Sequence, residues 1–538
     1  MMYCDKTSVN ILSALLLEHG IQDIVVCPGA RNAALVHNFH KMSLEACMTL
    51  YPVTDERCAA FVACGLYYAK RQPVAVCVTS GTALLNTLPA VAEAYYQHIP
   101  LLVISADRPA EAIGQLDGQT LPQEGALMPY AKTIVLNENN VHWCERACNE
   151  ALLALRHDGG CPVHLNLPIS RPLFNFNVEH LPTVRKIEEF TPKTDNETLP
   201  KHIIERIFNA RLPLLVVGQL FPKNVNDTRS KVLHSALDHL ESTDGILIMP
   251  EIISNCNYSY RTVSYEYSDE QHELKPDLVV HIGGNFVHKR LRKTLREQEC
   301  PVVRIEERQN DFPDTFYHLD TIVRCSLAGA LSQLANRLEE KQDVVSEKAY
   351  FKGLLCKERN DSIFCEAGAM ALVSEKIQNK IQIIHLGNSS AVRQASHYFE
   401  DGPDFYCNRG VNGIEGTLSA AAGHALGTDE QVCVILGDLS FFYDSNALWN
   451  CKLGGNLNII MFNNKGGGIF RELEGLDASP ATEEYVSARH NTFAKGIAES
   501  YGAEYIEATD YDELASALDV MINQKRSRPI IIEITIKQ

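Results

Sequence analysis

The stretch Val432-Cys433-Val434-Ile435-Leu436-Gly437-Asp438-Leu439-Ser440 decides how this chain is read, together with Phe462-Asn463-Asn464-Lys465-Gly466-Gly467-Gly468 about 27 residues later. Residues 432–436 and 457–462 are apolar runs that read as buried strands. Residues 441–452 between them have helical spacing. The unit is strand, turn, helix, strand, turn, with an acid closing the first strand and an amide closing the second. In a parallel sheet both turns leave on the same edge, where ligands bind. A carboxylate, an amide oxygen and a backbone carbonyl there suit a hard cation such as Mg2+, which commonly holds phosphate oxygens too. The alternative is a metal-free pair of turns with Asp and Asn as ordinary helix caps.

Working outward, residues 23–27, 74–79, 101–105 and 163–167 form apolar runs bounded by Gly, Pro or Asp, with helical patterns between them. Residues 176–200 are charged, contain Pro, lack periodicity and read as a linker. A second set of strands is expected at 214–217, 245–249, 278–282 and 302–305. A charged helical stretch over about 334–360 leads to a third set at 381–386, 432–436, 457–462 and 529–536. The fold class is therefore α/β, three doubly wound domains over about 1–180, 195–340 and 355–538. No low-complexity tract or short-period repeat interrupts them.

Composition agrees with a globular chain: 538 residues, 45 % hydrophobic and 22 % charged. No apolar run approaches the ~20 residues of a membrane helix, so no membrane insertion is expected. The first residues, Met1-Met2-Tyr3-Cys4-Asp5-Lys6, lack a signal-peptide pattern. Seventeen scattered cysteines, with no Cys-x-x-Cys pair, point to reduced core thiols and a cytoplasmic location. The net charge of −18 argues against nucleic acid as a partner. In so acidic a chain, basic loops at strand ends stand out.

Several such loops occur. Val26-Cys27-Pro28-Gly29-Ala30-Arg31-Asn32 puts Arg31 at a helix start. Ser105-Ala106-Asp107-Arg108-Pro109 adds Arg108, with Gly118-Gln119-Thr120 nearby. Gly283-Gly284-Asn285-Phe286-Val287-His288-Lys289-Arg290 follows a strand of the middle block. Leu386-Gly387-Asn388-Ser389-Ser390-Ala391-Val392-Arg393 and Asn408-Arg409-Gly410-Val411-Asn412-Gly413-Ile414 complete the set. Each alone could be a solvated turn. Together they suit a diphosphate and substrates with several carboxylates, because the guanidinium fork matches such groups. Thr54-Asp55-Glu56-Arg57 opens a helix that is otherwise small and apolar. Its acids read either as helix caps or, for Glu56, as a carboxylate that could hydrogen-bond a ring nitrogen.

Taken together, these motifs resemble the thiamine-diphosphate-dependent enzymes over essentially the whole chain. The Gly-Asp to Asn-Asn spacing carries the resemblance, with Leu439 where the general motif has Gly. Pro28-Gly29-Ala30-Arg31, Asp55-Glu56-Arg57, Ser105-Ala106-Asp107-Arg108-Pro109 and Gly437-Asp438-Leu439-Ser440 are most similar to the branch acting in menaquinone biosynthesis, in which that Leu is expected. The branch usually has Ser where this chain has Ala30, which removes one hydroxyl.

The resemblance implies a transferase that decarboxylates 2-oxoglutarate and adds the remaining unit to isochorismate. It implies thiamine diphosphate with Mg2+, or Mn2+, as cofactors. It also implies a pyrimidine-binding, a central and a diphosphate-binding domain in that order, and a homodimer or homotetramer with active sites between subunits. By resemblance Glu56 is catalytic and bonds the aminopyrimidine. Asp438, Asn464 and the Gly466 carbonyl hold the metal. Ser389, Ile414, Leu439 and Ser440 contact the cofactor, with Ile414 as an apolar wedge. Arg31, Arg108, Gln119, Lys289, Arg290, Ser389, Arg393 and Arg409 contact substrates. Alternatives are another carboligase or 2-oxo-acid decarboxylase, such as an acetohydroxyacid synthase, and a nucleotide-binding regulatory protein on the same fold.

Overall fold

The computed structural model describes residues 1–538 apart from positions 47, 191–197, 224–226, 257, 259, 270–271, 310, 355–362, 401, 474 and 537–538. Runs rich in Val, Ile and Leu become parallel strands covered on both faces, as such runs require. The first sheet has six parallel strands in the spatial order Thr49–Pro52, Asp23–Val26, Val74–Val78, Leu101–Asp107, Val163–Pro168, Lys132–Val135. The third sheet runs Asp404–Tyr406, Ile383–Leu386, Val432–Gly437, Leu457–Asn463, Ile530–Thr535, Glu504–Ala508. Numbered within each domain, both orders are 2-1-3-4-6-5. The middle sheet has five parallel strands in the order 2-1-3-4-5: Leu247–Pro250, Pro213–Val217, Leu278–Ile282, Val302–Glu306, Leu319–Arg324.

The period-two alternation of each strand assigns its side chains to different cores. In the first sheet Ile24, Ala75 and Leu102 enter a core of that domain alone. Val25, Val76 and Val103 enter a second core, which they share with Val432, Val434, Leu436 and Ile459 of the third sheet. Cys433 and Ile435 face the other way, into the third domain's own core. One apolar body therefore joins the first and third sheets.

Two helices fill that body, Glu56–Lys70 and Thr417–Gly427. Both are dominated by small residues, and they meet backbone to backbone. A Cβ on Gly65 would stand 2.0 Å from the Ala420 carbonyl oxygen, and one on Gly423 would stand 2.1 Å from that of Val62.

Three segments differ from their sequence expectation. Within 176–200, Phe176–Val178 pairs antiparallel with Tyr3–Cys4. The stretch expected as one helix over 334–360 is two helices, Leu327–Leu338 and Val345–Gly353, and its last residues lie outside those described. Leu331, Leu334 and Phe351 pack on the middle sheet. The helix expected over 441–452 begins earlier, at Asp438, and ends at Tyr443. A short 3-10 turn, Ser445–Leu448, follows it. Among the described residues, no helix is long and apolar enough to cross a membrane.

The helix crossing generates a prediction. Gly65→Ala gains about 1 kcal/mol of helix propensity. It forces a side chain against a backbone carbonyl that cannot rotate away, an overpacking cost of about 1–3 kcal/mol. Thermal unfolding should show a net loss of stability. A Tm equal to or above wild type would mean that the helices part freely.

Candidate functional site

In the third domain the reversal of strand order falls between Ile383–Leu386 and Val432–Gly437. That is where ligand crevices form in sheets of this kind. Asp438 is the first residue of the helix after the second of these strands, and it is buried. Its Oδ1 accepts the Leu439 N–H at 2.6 Å and its Oδ2 accepts the Gly466 N–H at 3.0 Å. The acid and the second turn thus meet directly, because Val432–Gly437 and Leu457–Asn463 are paired in parallel with Gly437 opposite Phe462.

Burial raises the Asp438 carboxyl above its ordinary value. The two N–H groups and His490 Nε2, at 3.3 Å, pull the other way. A buried carboxylate in this state gains most from a nearby cation. The Asn464 Nδ2 donates to Glu366 Oε2 at 3.3 Å, and the Gly466 carbonyl accepts the Gly468 N–H at 3.0 Å. A carbonyl oxygen has a second lone pair to offer. Among the described residues, no group of three or more His, Cys, Asp and Glu side chains could hold a metal. The oxygen set at this edge, from Asp438, Asn464 and Gly466, is the kind that hard divalent cations take. These residues fit such a cation.

Around this pair stand the loops singled out in the sequence. Ser389 precedes the helix Ser390–Tyr398 at φ +73°, a strained position for a residue with a Cβ. Asn388 Nδ2 donates to the carbonyls of Asn408 (2.7 Å) and Gly413 (2.8 Å). Its Oδ1 accepts Arg409 Nη1 at 3.1 Å. Arg409 is buried, and its Nη2 donates to the Phe286 carbonyl of the middle domain at 3.1 Å. Arg393 Nη1 donates to the Ser389 carbonyl at 2.8 Å. The Ile414 side chain is 41 % exposed although apolar, and the Ser440 hydroxyl donates to its carbonyl.

Lys289 and Arg290 open the helix Lys289–Glu297. Lys289 is exposed, whereas Arg290 Nη1 donates to the carbonyls of Tyr265 (3.0 Å), Glu266 (3.0 Å) and Ser268 (3.2 Å). Much of the Arg290 guanidinium therefore closes a turn of its own domain.

In the first domain the corresponding edge carries Arg31, Arg108 and Gln119. Arg31 is buried and donates to the Ile169 carbonyl at 2.7 Å. Burial lowers its pKa, and the like charges of Arg108 and Arg171 lower it further. Arg108 Nη2 donates to the Gly118 carbonyl at 2.7 Å, beside the exposed Gln119. A groove of about 560 Å3 lies at the ends of Asp23–Val26 and Thr49–Pro52, lined in part by Cys27, Pro28, Gly29, Val53 and Thr54. Glu56 follows this rim. It is half-buried, and its Oε2 accepts Asn86 Nδ2 at 3.1 Å. Asp55 caps its helix by accepting the Arg57 N–H at 3.0 Å.

Sequence reasoning missed four polar residues here: Arg171, Glu366, His490 and Asp444. None sits in a recognisable motif; Arg171, Glu366 and His490 come from separate parts of the chain, and Asp444 closes the helix that Asp438 opens. Asp444 is fully buried and joins the outer domains. It accepts Ser419 N–H (2.7 Å) and Ser419 Oγ (2.6 Å), and Cys58 Sγ lies 3.6 Å away. Burial pushes its pKa up to about 6.

With this geometry in place, comparison with known proteins is direct. Residues 6–127 match the thiamine pyrophosphate enzyme N-terminal TPP binding domain, and residues 386–534 match the C-terminal TPP binding domain. The chain is 38 % identical over 544 residues to the 2-succinyl-5-enolpyruvyl-6-hydroxy-3-cyclohexene-1-carboxylate synthase of Bacteroides thetaiotaomicron, covering 99 % of this chain and 96 % of that protein. It is 32 % identical over 545 residues to the synthase of the same name from Flavobacterium psychrophilum, with 96 % and 93 % covered. The fold matches the X-ray structure of a Mycobacterium smegmatis protein assigned to the thiamin diphosphate-dependent enzymes. The TM-score is 0.74 at 18 % identity, covering 99 % of this chain and 100 % of that one.

Asp444 generates a pH prediction. Its folded pKa of about 6 lies above the ordinary aspartate value of 3.8, so the native state binds a proton that the unfolded chain releases. Its contribution to stability is fully present below pH 3.8 and is lost as pH rises to about 6. Asp444→Asn abolishes that loss. The variant's Tm relative to wild type should therefore rise between pH 4.5 and pH 7.5, by an amount on the order of a few kcal/mol in stability. A difference independent of pH would place the Asp444 proton elsewhere.

Proposed function

We propose a function from the family to which this chain belongs, the 2-succinyl-5-enolpyruvyl-6-hydroxy-3-cyclohexene-1-carboxylate synthases of the thiamine pyrophosphate enzymes. The protein is a transferase of menaquinone biosynthesis. It decarboxylates 2-oxoglutarate and joins the remaining four-carbon unit to isochorismate, releasing CO2. The observation that carries this reading is the buried Asp438 carboxylate, held against the Gly466 N–H on the ligand edge of the third domain.

Thiamine diphosphate, when bound, supplies the electron sink that decarboxylation of a 2-oxo acid needs. The residues of the chain supply position and charge. Asp438, the Asn464 amide oxygen and the Gly466 carbonyl would hold Mg2+, or Mn2+, against the diphosphate. Leu439, Ser440 and Ser389 would line that end. The exposed Ile414 side chain would pack against the cofactor, and Glu56 would hold a proton at N1′ of its aminopyrimidine. Arg31, Arg108, Gln119, Lys289, Arg290, Arg393 and Arg409 would receive the several carboxylates of the two substrates, with Ser389 beside them.

Within one chain Arg57 donates to the Tyr443 carbonyl, and Asp55 accepts Asn446 Nδ2. The start of the Glu56 helix therefore docks at the far end of the short helix that begins with Asp438. The site we propose is completed in a homodimer or homotetramer, in which a second copy brings its Glu56 to the metal edge. The many buried cysteines support a cytoplasmic location.

Two measurements test this function. Asp438→Ala should abolish Mg2+-dependent binding of thiamine diphosphate in titration calorimetry, because the bridging cation loses the one carboxylate among the three residues proposed to hold it. Wild-type affinity would put the metal elsewhere. Arg409→Ala should raise the KM of one carboxylate substrate about 10- to 100-fold, the worth of a charge-assisted hydrogen bond, with the cofactor dissociation constant unchanged. Steady-state kinetics with 2-oxoglutarate and isochorismate varied separately reads this out. Turnover of pyruvate in place of 2-oxoglutarate would instead favour an acetohydroxyacid synthase-like activity.

A further inference from the structure

The segment 407–411 of the third domain is gripped from outside by side chains of the other two. Glu93, on the first-domain helix Leu88–Gln97, is 1 % exposed. Its Oε1 accepts the Gly410 N–H at 2.7 Å, and its Oε2 accepts the Val411 N–H at 2.7 Å. Gln97 Nε2 donates to Glu93 Oε1, and also to the Cys407 carbonyl at 3.0 Å. From the middle domain, Gln219 Nε2 donates to the Cys407 carbonyl at 2.9 Å, and Asn285 Nδ2 donates to the Arg409 carbonyl. A Cβ on Gly410 would stand 2.8 Å from the Glu93 main-chain oxygen and 2.9 Å from its Oε2, so this grip requires Gly410.

We propose that Glu93 is a positioning residue for the candidate site. Its carboxylate sets the backbone of the 409–414 segment, and with it the place of the Arg409 guanidinium. The proposal rests on the reading of Arg409 as a substrate-binding residue. The chemistry favours a carboxylate over its amide. Two consecutive backbone N–H groups converge on two separate oxygens of a buried carboxylate, and both would otherwise lose these acceptors, which is costly. Glutamine offers one oxygen, so it satisfies one N–H and turns its own NH2 toward the other. Removing the charge also removes what holds the donors from Gln97, Gly410 and Val411 in register. The Arg409 side chain is bounded on its far side by Asn388 and the Phe286 carbonyl. A shift of the 409–411 backbone therefore moves the guanidinium against fixed partners.

The test uses the full-length, cofactor-loaded enzyme and three variants: Glu93→Gln, Arg409→Ala and the two combined. In Glu93→Gln, amide hydrogen exchange in the 407–414 segment should speed up about tenfold, and the KM of the substrate that responds to Arg409→Ala should rise about tenfold with kcat within about twofold. The double variant should lie within about twofold of Arg409→Ala, because Glu93 acts through Arg409. Gly410→Ala should reproduce the KM signature of Glu93→Gln with Glu93 itself intact, because the added Cβ would push the segment off the carboxylate.

Unchanged exchange, a KM penalty that multiplies fully on the Arg409→Ala background, or a lower Tm with kinetics untouched would each overturn the proposal. Wild type that fails to consume 2-oxoglutarate with isochorismate would overturn the proposed reaction instead, and the exchange measurement would still judge the grip of Glu93.

Discussion

The contact that the rest of the molecule depends on is the crossing of Glu56–Lys70 with Thr417–Gly427. Backbone meets backbone there, with no side chain between Gly65 and Ala420 or between Gly423 and Val62. So close an approach fixes distance and angle more tightly than interleaved leucines would, because the atoms in contact have no rotamers to change. It joins the first and third sheets through one apolar core. It also carries Asp55, Glu56 and Arg57 to the loop that follows the Asp438 helix. The strand-end edges of the two outer domains are thereby set relative to each other by a contact within their shared apolar core.

What could be read from the sequence follows burial. Strands buried on both faces, such as Val432–Gly437 and Leu278–Ile282, are continuous apolar runs and were found within a residue or two. Within the three parallel sheets the strands missed are Thr49–Pro52, Lys132–Val135, Leu319–Arg324, Asp404–Tyr406 and Glu504–Ala508, and all lie at sheet edges. Edge strands are short or carry charge, as Glu504 and Lys132 do, because a bare apolar edge invites aggregation. The features that protect them also hide them. The motif residues at strand ends were legible because turns constrain residue type. Glu366, Asp444 and Glu93 were not. A lone acid in a helix or loop looks the same in sequence whether it faces water or a buried N–H from another domain.

The arginines of the candidate site share one habit. Arg31, Arg108, Arg290, Arg393 and Arg409 each donate to a backbone carbonyl, of Ile169, Gly118, Tyr265, Ser389 and Phe286 respectively. A guanidinium carries five N–H donors, so a single such bond, as Arg31 and Arg108 make, anchors the group without using up its donors. Anchored cations lose less freedom when an anion arrives than solvated ones do. In a chain of net charge −18 that matters, since the overall field repels anionic substrates and local attraction must overcome it.

The turn before the helix Ser390–Tyr398 has a counterpart in the first domain. Gly81 stands three residues past Val78, immediately before a helix, at φ +88°. Ser389 stands three residues past Leu386, immediately before a helix, at φ +73°. Both turns make the same demand on the chain, and glycine meets it without strain while serine does not. The serine form keeps a hydroxyl at the edge and accepts a less comfortable backbone in return. A search for changes that raise heat resistance would be drawn to glycine at position 389, and would remove the hydroxyl that the strained turn holds in place.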